Sequence, residues 1–478
     1  NVDSANVMLA WRAGREAASH EVMLGTDPAD LPLVATTSDA SYTANGLDYS
    51  TTYYWSITEV NDTEAVTAHA GDVWSFTTPD YGTVDDFDQY DDACNRIFFS
   101  WEDGLGHSGG EEIDDCDVPA SNGNGGGSIV GNDQAPFAEK TIVNIGGSTQ
   151  SLPFNYDNSF GASEAKVTLD GQDWTASGVQ TLAIAFSGTE GNTGTLYVKI
   201  NNSKVVYNGQ AADIARSGWQ AWNIDLAGVS GVQNVTSLTI GVDGGSAAGM
   251  LYIDDIRLYP LAGEMITPVD PGTEGLVAKY TFEGSANDSS GNGNDGTVEG
   301  GATFSPGKVG SALDCGGFDG FVSTGKSASS LGIDGNKPRT VTCWAYTRVF
   351  NNGGLYDVGA RVAGQDFCLR TLGGDNDWRI QYWGGDQDFT LDTMEKWVHF
   401  THVHDGTNTK IYADGLLIVD WAKTIDTPDT NPWQIGCYGW QNDYFDGLID
   451  ELHLYNRALS AEEALFMAGK TQPVHKPF

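Results

Sequence analysis

The chain has 478 residues, with 24 Lys and Arg against 65 Asp and Glu and a formal net charge of −41. Such acidity repels nucleic-acid backbones and anionic membranes and attracts divalent cations, and no apolar run approaches the ~18–20 residues of a membrane helix. At 40% hydrophobic and 11% aromatic the composition excludes intrinsic disorder and supplies cores for about three domains. The 61 glycines among many Thr, Val, Tyr and Trp point to short strands and turns, so the expected class is all-β and extracellular. The start at Asn1, with no leader, reads as a processed form or a piece of something longer.

Residues 1–79 alternate as half-buried sandwich strands near 7–11, 21–24, 53–60 and 73–77, broken by Asp27-Pro28 and Asn45-Gly46. Trp11, Trp55 and Trp74 are expected in its core. The order Leu9-Ala10-Trp11, then His20-Glu21-Val22-Met23-Leu24, Leu47, Thr52-Tyr53-Tyr54-Trp55 and Val73-Trp74-Ser75-Phe76-Thr77 resembles a fibronectin type III domain with its first strand short or missing. That resemblance implies a spacer, and the missing strand an edge that a neighbouring chain completes by strand addition.

Residues 80–260 open with Val84-Asp85-Asp86-Phe87-Asp88 and close with Ile253-Asp254-Asp255-Ile256-Arg257-Leu258-Tyr259. Period two puts Asp254 on one face with Ile256 and Leu258, where an unpaired carboxylate is costly and needs neutralising. These ends resemble the β-sandwich jelly rolls of carbohydrate-binding modules. The resemblance implies a structural calcium held by Asp86, Asp88 and Asp254, with Asp255 the alternative if the register slips by one. Trp101, Trp219 and Trp222 are lesser candidates for stacking on sugars. Cys94 and Cys116 share one irregular stretch and read as a bridge contributing ~3 kcal/mol. Glu112-Ile113-Asp114-Asp115-Cys116-Asp117 resembles the Glu-x-Asp-x-x-Glu strand of certain glycosidases only faintly, and surface acidity explains it more simply.

A linker, 261–274, carries Pro268 and Pro271. Residues 275–470 contain Tyr280-Thr281-Phe282-Glu283, Asp288-Ser289-Ser290-Gly291-Asn292-Gly293-Asn294-Asp295-Gly296, Val341-Thr342-Cys343-Trp344, Trp397-Val398-His399-Phe400 and Ile449-Asp450-Glu451-Leu452-His453-Leu454-Tyr455. In that order they resemble a bacterial laminin-G-like (concanavalin A-like) domain. The resemblance implies calcium on the 288–296 loop, and Asp288, Asn294 and Asp450 are the candidate ligands. Calcium takes six to eight hard oxygens, and alternation again places Asp450 beside Leu452 and Leu454. Ser460-Ala461-Glu462-Glu463 has capping-box spacing and predicts a helix ending at Gly469, before a tail over 471–478.

Sugar rings stack on flat aromatics while their hydroxyls bond to nearby polar side chains. Asp375, Trp378, Trp383, Trp440 and Tyr444 combine these features and are the candidate ligand-binding residues, whereas Trp344 is expected in the core. His402 and His404 share a strand face, but no third zinc ligand is apparent. Cys315, Cys343, Cys368 and Cys437 permit three pairings.

The fold expected is all-β: three tandem antiparallel β-sandwich domains, one immunoglobulin-like, one jelly roll and one concanavalin A-like jelly roll. No nucleophile elbow, phosphate loop or paired metal-hydrolase motif is present, so no enzyme is expected. The reading is a secreted, calcium-stabilised protein of a bacterial cell surface or extracellular matrix that binds polysaccharide or glycoconjugate, or adheres to a neighbouring surface protein. The alternatives are a self-associating filament or matrix subunit, and the accessory tail of a polysaccharide-degrading enzyme.

Overall fold

The computed structural model describes residues 5–61, 67–108, 116–144, 147–374, 376–439 and 443–478. The chain divides into two compact units, Asn1–Met265 with Val474–Phe478, and Ile266–Pro473. Both are nearly all β, and among the described residues no helix is long and apolar enough to cross a membrane.

The first unit contains two sandwiches with separate cores. In the smaller, Val7–Ala10 pairs with Ser41–Ala44, and a second sheet runs Leu33–Thr37, Ser19–Gly25, Thr52–Val60, Ala68–Ala70, with Trp74–Thr77 also on Thr52–Val60. Val22, Leu24, Trp55 and Ile57 alternate inward, as period two requires. Trp74 does not join them: it lies on an edge strand, 57% exposed, and meets Trp55 edge-on at 5.3 Å. Trp11 is half-buried.

In the larger sandwich one sheet runs Ser128–Val130, Leu152–Asp157, Ala248–Tyr259, Thr181–Ser187, Trp219–Asp225, with Gly82–Asp85 also on Ala248–Tyr259. The other runs Ser203–Val206, Thr195–Ile200, Val235–Asp243, Ser163–Gln172, Trp101–Glu102. The expected Cys94–Cys116 disulfide is formed. Residues 474–478 are a docked segment of this unit rather than a free tail. Phe478 stacks on Tyr259 at 4.0 Å, and the Lys476 carbonyl accepts from Asn223 Nδ2 at 2.8 Å.

The second unit is a jelly roll of two large sheets. One runs Thr303–Pro306, Ser311–Asp314, Asp446–Tyr455, Arg339–Val349, Trp397–His404, Asn408–Ala413, Leu416–Ala422, with Leu276–Tyr280 on Asp446–Tyr455. The other runs Thr297–Glu299, Phe321–Ser323, Asn431–Ile435, Gly354–Gly359, Asp366–Thr371, Asp377–Gln381, Gln387–Thr390. The helix forms over Ala461–Met467 with its capping box intact: Ser460 Oγ accepts from the Glu463 amide, and the Glu463 carboxylate accepts from the Ser460 amide. Gly469 follows at φ 76°, a left-handed stop that glycine adopts without strain.

The two closing strands carry the same irregularity, which overturns the expected alternation. Asp255 and Glu451 have φ of 47° and 45°, and pairing to the neighbouring strand slips at both points. Each is a β-bulge, and one extra residue reverses the phase of everything after it. Core side chains are therefore Leu251, Ile253, Ile256 and Leu258 in one strand and Ile449, Leu452 and Leu454 in the other. Asp254 and Asp450 do not share the core face with the residues two positions on.

Candidate functional site

The outer face of the second unit's second sheet holds the densest group of polar and aromatic side chains near the predicted sugar-binding residues. Along Gly354–Gly359, Asp366–Thr371 and Asp377–Gln381, the residues Tyr356, Val358, Phe367, Leu369, Trp378 and Ile380 point into the core. Period two then turns Asp357, Asp366, Cys368, Arg370, Arg379 and Gln381 to the other side.

Arg370 donates from Nε to Gln381 Oε1 at 3.0 Å and lies over the Tyr438 ring at 4.9 Å, 3.9 Å from Asp443. Gln381 passes the chain on, donating to Asp386 Oδ2 at 3.0 Å, while Asp386 Oδ1 accepts from the Tyr382 amide at 2.8 Å. Arg379 grips Asp388 with two bonds of 2.6 and 2.7 Å, the planar fork geometry that only arginine offers. Arg361 lies 5.1 Å from the centre of the Trp383 ring and 5.5 Å from that of Tyr438. Trp383, at φ 57°, leaves the alternation of its strand and stays half-buried at the margin, as does Tyr444.

Beneath this layer Asp357 and Asp366 are sealed from solvent, at 1% and 0% exposure, and lie within hydrogen-bond reach of each other. Burial pushes both carboxyls up, and the charge of one raises the other, so the pair keeps a proton. Asp357 Oδ2 also accepts from the Gly439 amide at 3.0 Å. Sealed from solvent, neither carboxyl is presented at the surface of this face.

Of the predicted ligand-binding residues, Trp383 and Tyr444 lie at the margin of this face. Trp378 is a correction: it is fully buried, 4.6 Å from Phe400 and 5.9 Å from Phe350, because its strand alternates it with Ile380 into the core. Asp375 and Trp440 lie outside the described residues. Trp344, expected in the core, faces outward and half-buried, with Lys308 over its ring at 4.4 Å. Trp101 and Trp222 are core residues and Trp219 is half-buried. Most of the 112–117 stretch lies outside the described residues.

The predicted calcium ligands are distributed differently in the two units. In the first, Asp254 and Asp255 are buried at the closing bulge, and Asn144 joins them, its amide donating to Asp254 at 2.9 Å and its Nδ2 to Asp255 at 2.8 Å. Asp86 and Asp88 lie near enough to raise the Asp255 carboxyl, and Asp88 accepts from the Thr149 and Gln150 amides at 2.8 and 2.9 Å. Burial, then the charge of Asp255, pushes Asp254 up to about 7.

In the second unit Asp288 and Asn294 stay together on one loop and Asp450 lies apart from them. Asp288 Oδ1 accepts from the Lys279 and Ser290 amides and Oδ2 from the Asn294 amide, which holds the carboxyl below its usual range despite burial, and Asn294 Nδ2 donates to the Val277 carbonyl. Asp450 instead accepts from the Val309 amide at 2.9 Å, in a loop that Glu283 also grips through the Ser311 amide. Glu283, to which the sequence gives no role although it closes the Tyr280–Glu283 block, thus holds the same loop as Asp450. Among the described residues, no group of three or more His, Cys, Asp or Glu side chains is placed to hold a metal ion.

His402 and His404 do share a face, turned inward. His402 bonds the hydroxyls of Tyr356 and Tyr382, and His404 bonds Asn336 Oδ1 at 2.9 Å. Burial pushes both imidazoles down, so they are neutral members of a core network. Cys315, Cys343, Cys368 and Cys437 are free and buried.

This geometry defines a nearly all-β protein whose second unit contains a concanavalin A-like jelly roll. A family model described as the concanavalin A-like lectin/glucanases superfamily matches residues 317–464. Among solved structures the chain is similar to domain 4 of AbnA, an extracellular arabinanase of Geobacillus stearothermophilus, in complex with arabinotriose. The identity is 21% and the TM-score 0.35, over 43% of this chain and 100% of that one. The binding domain of Paraclostridial Mosquitocidal Protein 1 matches at 18% identity and TM-score 0.33, over 41% of this chain and 52% of its own. The receptor binding domain of a botulinum neurotoxin C/D mosaic serotype matches at 13% identity and TM-score 0.33, over 41% and 51%. The chain thus spans about half the length of these toxin domains. No curated protein matches the sequence.

Proposed function

We propose that this is a secreted, non-catalytic protein that binds glycans through the laminin-G-like unit. The observation that carries the reading is the outer face just described: a half-buried Trp383 under Arg361, beside half-buried Arg379 and Asp386 and exposed Asp388, with Arg370 and Gln381 buried and fixing the positions of their neighbours. A sugar ring needs a flat apolar surface flanked by hydrogen-bond partners that are already oriented, since ordering them on binding costs affinity. The superfamily match over 317–464 supports the same reading. The test is binding of the full chain to a panel of immobilised polysaccharides, with Trp383→Ala beside it. Retention that the substitution removes supports the proposal, and retention indifferent to Trp383 places the activity elsewhere.

Calcium at the first unit's acidic junction belongs to the same proposal. Its support is a concentration of acidic oxygens rather than a preformed ligand set: Asp254 and Asp255 are buried, Asp86 and Asp88 lie near enough to raise the Asp255 carboxyl, and Arg257 is the cation paired with Asp255. The ion would supply the missing positive charge and tie the opening strand to the closing one. In the second unit Asp450 lies apart from Asp288 and Asn294, and no comparable concentration of carboxylates supports an ion there.

A further inference from the structure

The chain up to Pro473 belongs to the second compact unit, yet Val474–Phe478 belongs to the first. A segment joined to one unit and seated on the other is held there by its side-chain and backbone contacts, as a bound peptide is. We propose that the groove seating it is a self-recognition site, which the same segment of a second copy of this chain can occupy.

The groove is built before the segment arrives. Tyr207 stands edge-on to the core rings of Trp222 and Phe186 at 5.5 and 5.1 Å, and its hydroxyl donates to the buried Asp213 at 2.7 Å. Against that fixed ring lies His475, 6.0 Å away and buried, whose Nε2 donates to Asn208 Oδ1 at 2.8 Å. Lys476 is held on both sides. Its carbonyl accepts from Asn223 Nδ2, its amide donates to the Glu264 carbonyl at 2.9 Å, and its Nζ reaches the Glu264 carboxylate at 2.7 Å. Phe478 then lies nearly parallel to Tyr259, at 11°. A peptide entering this groove pays for its own ordering and little for that of Tyr207 or Trp222.

A second copy is the occupant that the segment itself specifies. Its five residues make the same contacts whichever copy supplies them, so the two arrangements differ only in effective concentration. For a segment on a short connection that concentration is about millimolar. A contact of five residues also opens more readily than a sheet core. Charge draws the segment to any copy: none of the 65 Asp and Glu falls within 464–478, which carries Lys470 and Lys476, while the whole chain has a net charge of −41. Groove and segment are different surfaces, so the contact is heterologous. One-way exchange runs on from copy to copy, and reciprocal exchange closes a pair.

The experiment mixes two variants that complement each other. The chain lacking 474–478 offers an open groove and no segment, and Asn208→Ala with Asn223→Ala offers a segment that its own groove holds poorly. Sedimentation velocity at about 100 μM, well below the effective concentration of the tethered segment, should show each variant monomeric alone and a one-to-one complex in the mixture. Adding His475→Ala with Phe478→Ala to the second variant should abolish that complex. A synthetic peptide of residues 471–478, blocked at both ends, should bind the shortened chain and raise the melting transition of its first unit. Its affinity for the wild type, whose groove is filled, should be at least tenfold lower. The peptide arm keeps the test valid if the asparagine variant fails to fold. Absence of both the complex and peptide binding overturns the proposal. So does a complex that survives the His475 and Phe478 substitutions, or a peptide that binds wild type and shortened chain alike. Peptide binding with no complex between folded variants overturns it too, since the groove would then not take the segment from another copy.

Discussion

Replacing Trp378 and Trp383 separates packing from recognition, since sequence reading placed both on a sugar-binding rim. Trp378 is fully buried against Phe400 and Phe350. An aromatic side chain buries roughly 150–250 Å², which at about 25 cal/mol per Å² amounts to some 4–6 kcal/mol. Measured core Trp→Ala substitutions cost about 3–5 kcal/mol, since the surroundings collapse only partly into the cavity. Trp378→Ala should therefore destabilise the laminin-G-like unit by about 4 kcal/mol. Trp383→Ala, half-buried and packed mainly under one guanidinium, should cost about 1 kcal/mol. The assay is urea unfolding of the full chain followed by hydrogen exchange, which reports each unit separately. Sugar binding, measured under conditions where both variants remain folded, should survive in Trp378→Ala and fail in Trp383→Ala. Equal destabilisation by the two, or loss of binding in Trp378→Ala at full stability, would refute the assignment of these rings.

The buried pair Asp357 and Asp366 gives a pH dependence. Both folded carboxyls titrate above their unfolded range, so the native state holds the extra proton, and stability present at low pH is lost as pH rises through the raised value. Melting temperature against pH should fall on the alkaline side for the wild type and flatten in Asp366→Asn; parallel curves would contradict the shared proton. Ser460→Ala should cost about 1 kcal/mol by removing the cap on Ala461–Met467, read as faster exchange of the helix amides. Excess calcium should raise the melting transition of the first unit and chelator lower it, with Asp254→Asn abolishing the difference. No calcium response in the wild type would mean that the amide donors around Asp254 and Asp88 suffice.

The all-β class and the concanavalin A-like jelly roll were legible because strand alternation and turn residues are local signals. The capping box and the Cys94–Cys116 bridge were legible for the same reason. What misled the reading was a single residue in each closing strand. A bulge at Asp255 or Glu451 leaves no mark on the hydrophobic pattern before it and inverts the phase after it, so Asp450 was placed beside Leu452 when the two face opposite ways. For Trp378 the sequence carries two opposed signals: its alternation with Ile380 and Tyr382 points to the core, where it lies, and the polar stretch before it points to the rim. Glu283 was missed because its link to Asp450 runs through the amides of a loop distant from both in sequence.

The most direct test of the central claim is titration of the full chain, and of Trp383→Ala beside it, against the polysaccharides that the wild type retains. The account predicts saturable binding by the wild type, and for Trp383→Ala an affinity at least tenfold weaker at a temperature where the variant is still folded. Wild-type affinity in Trp383→Ala for every retained polysaccharide would contradict it.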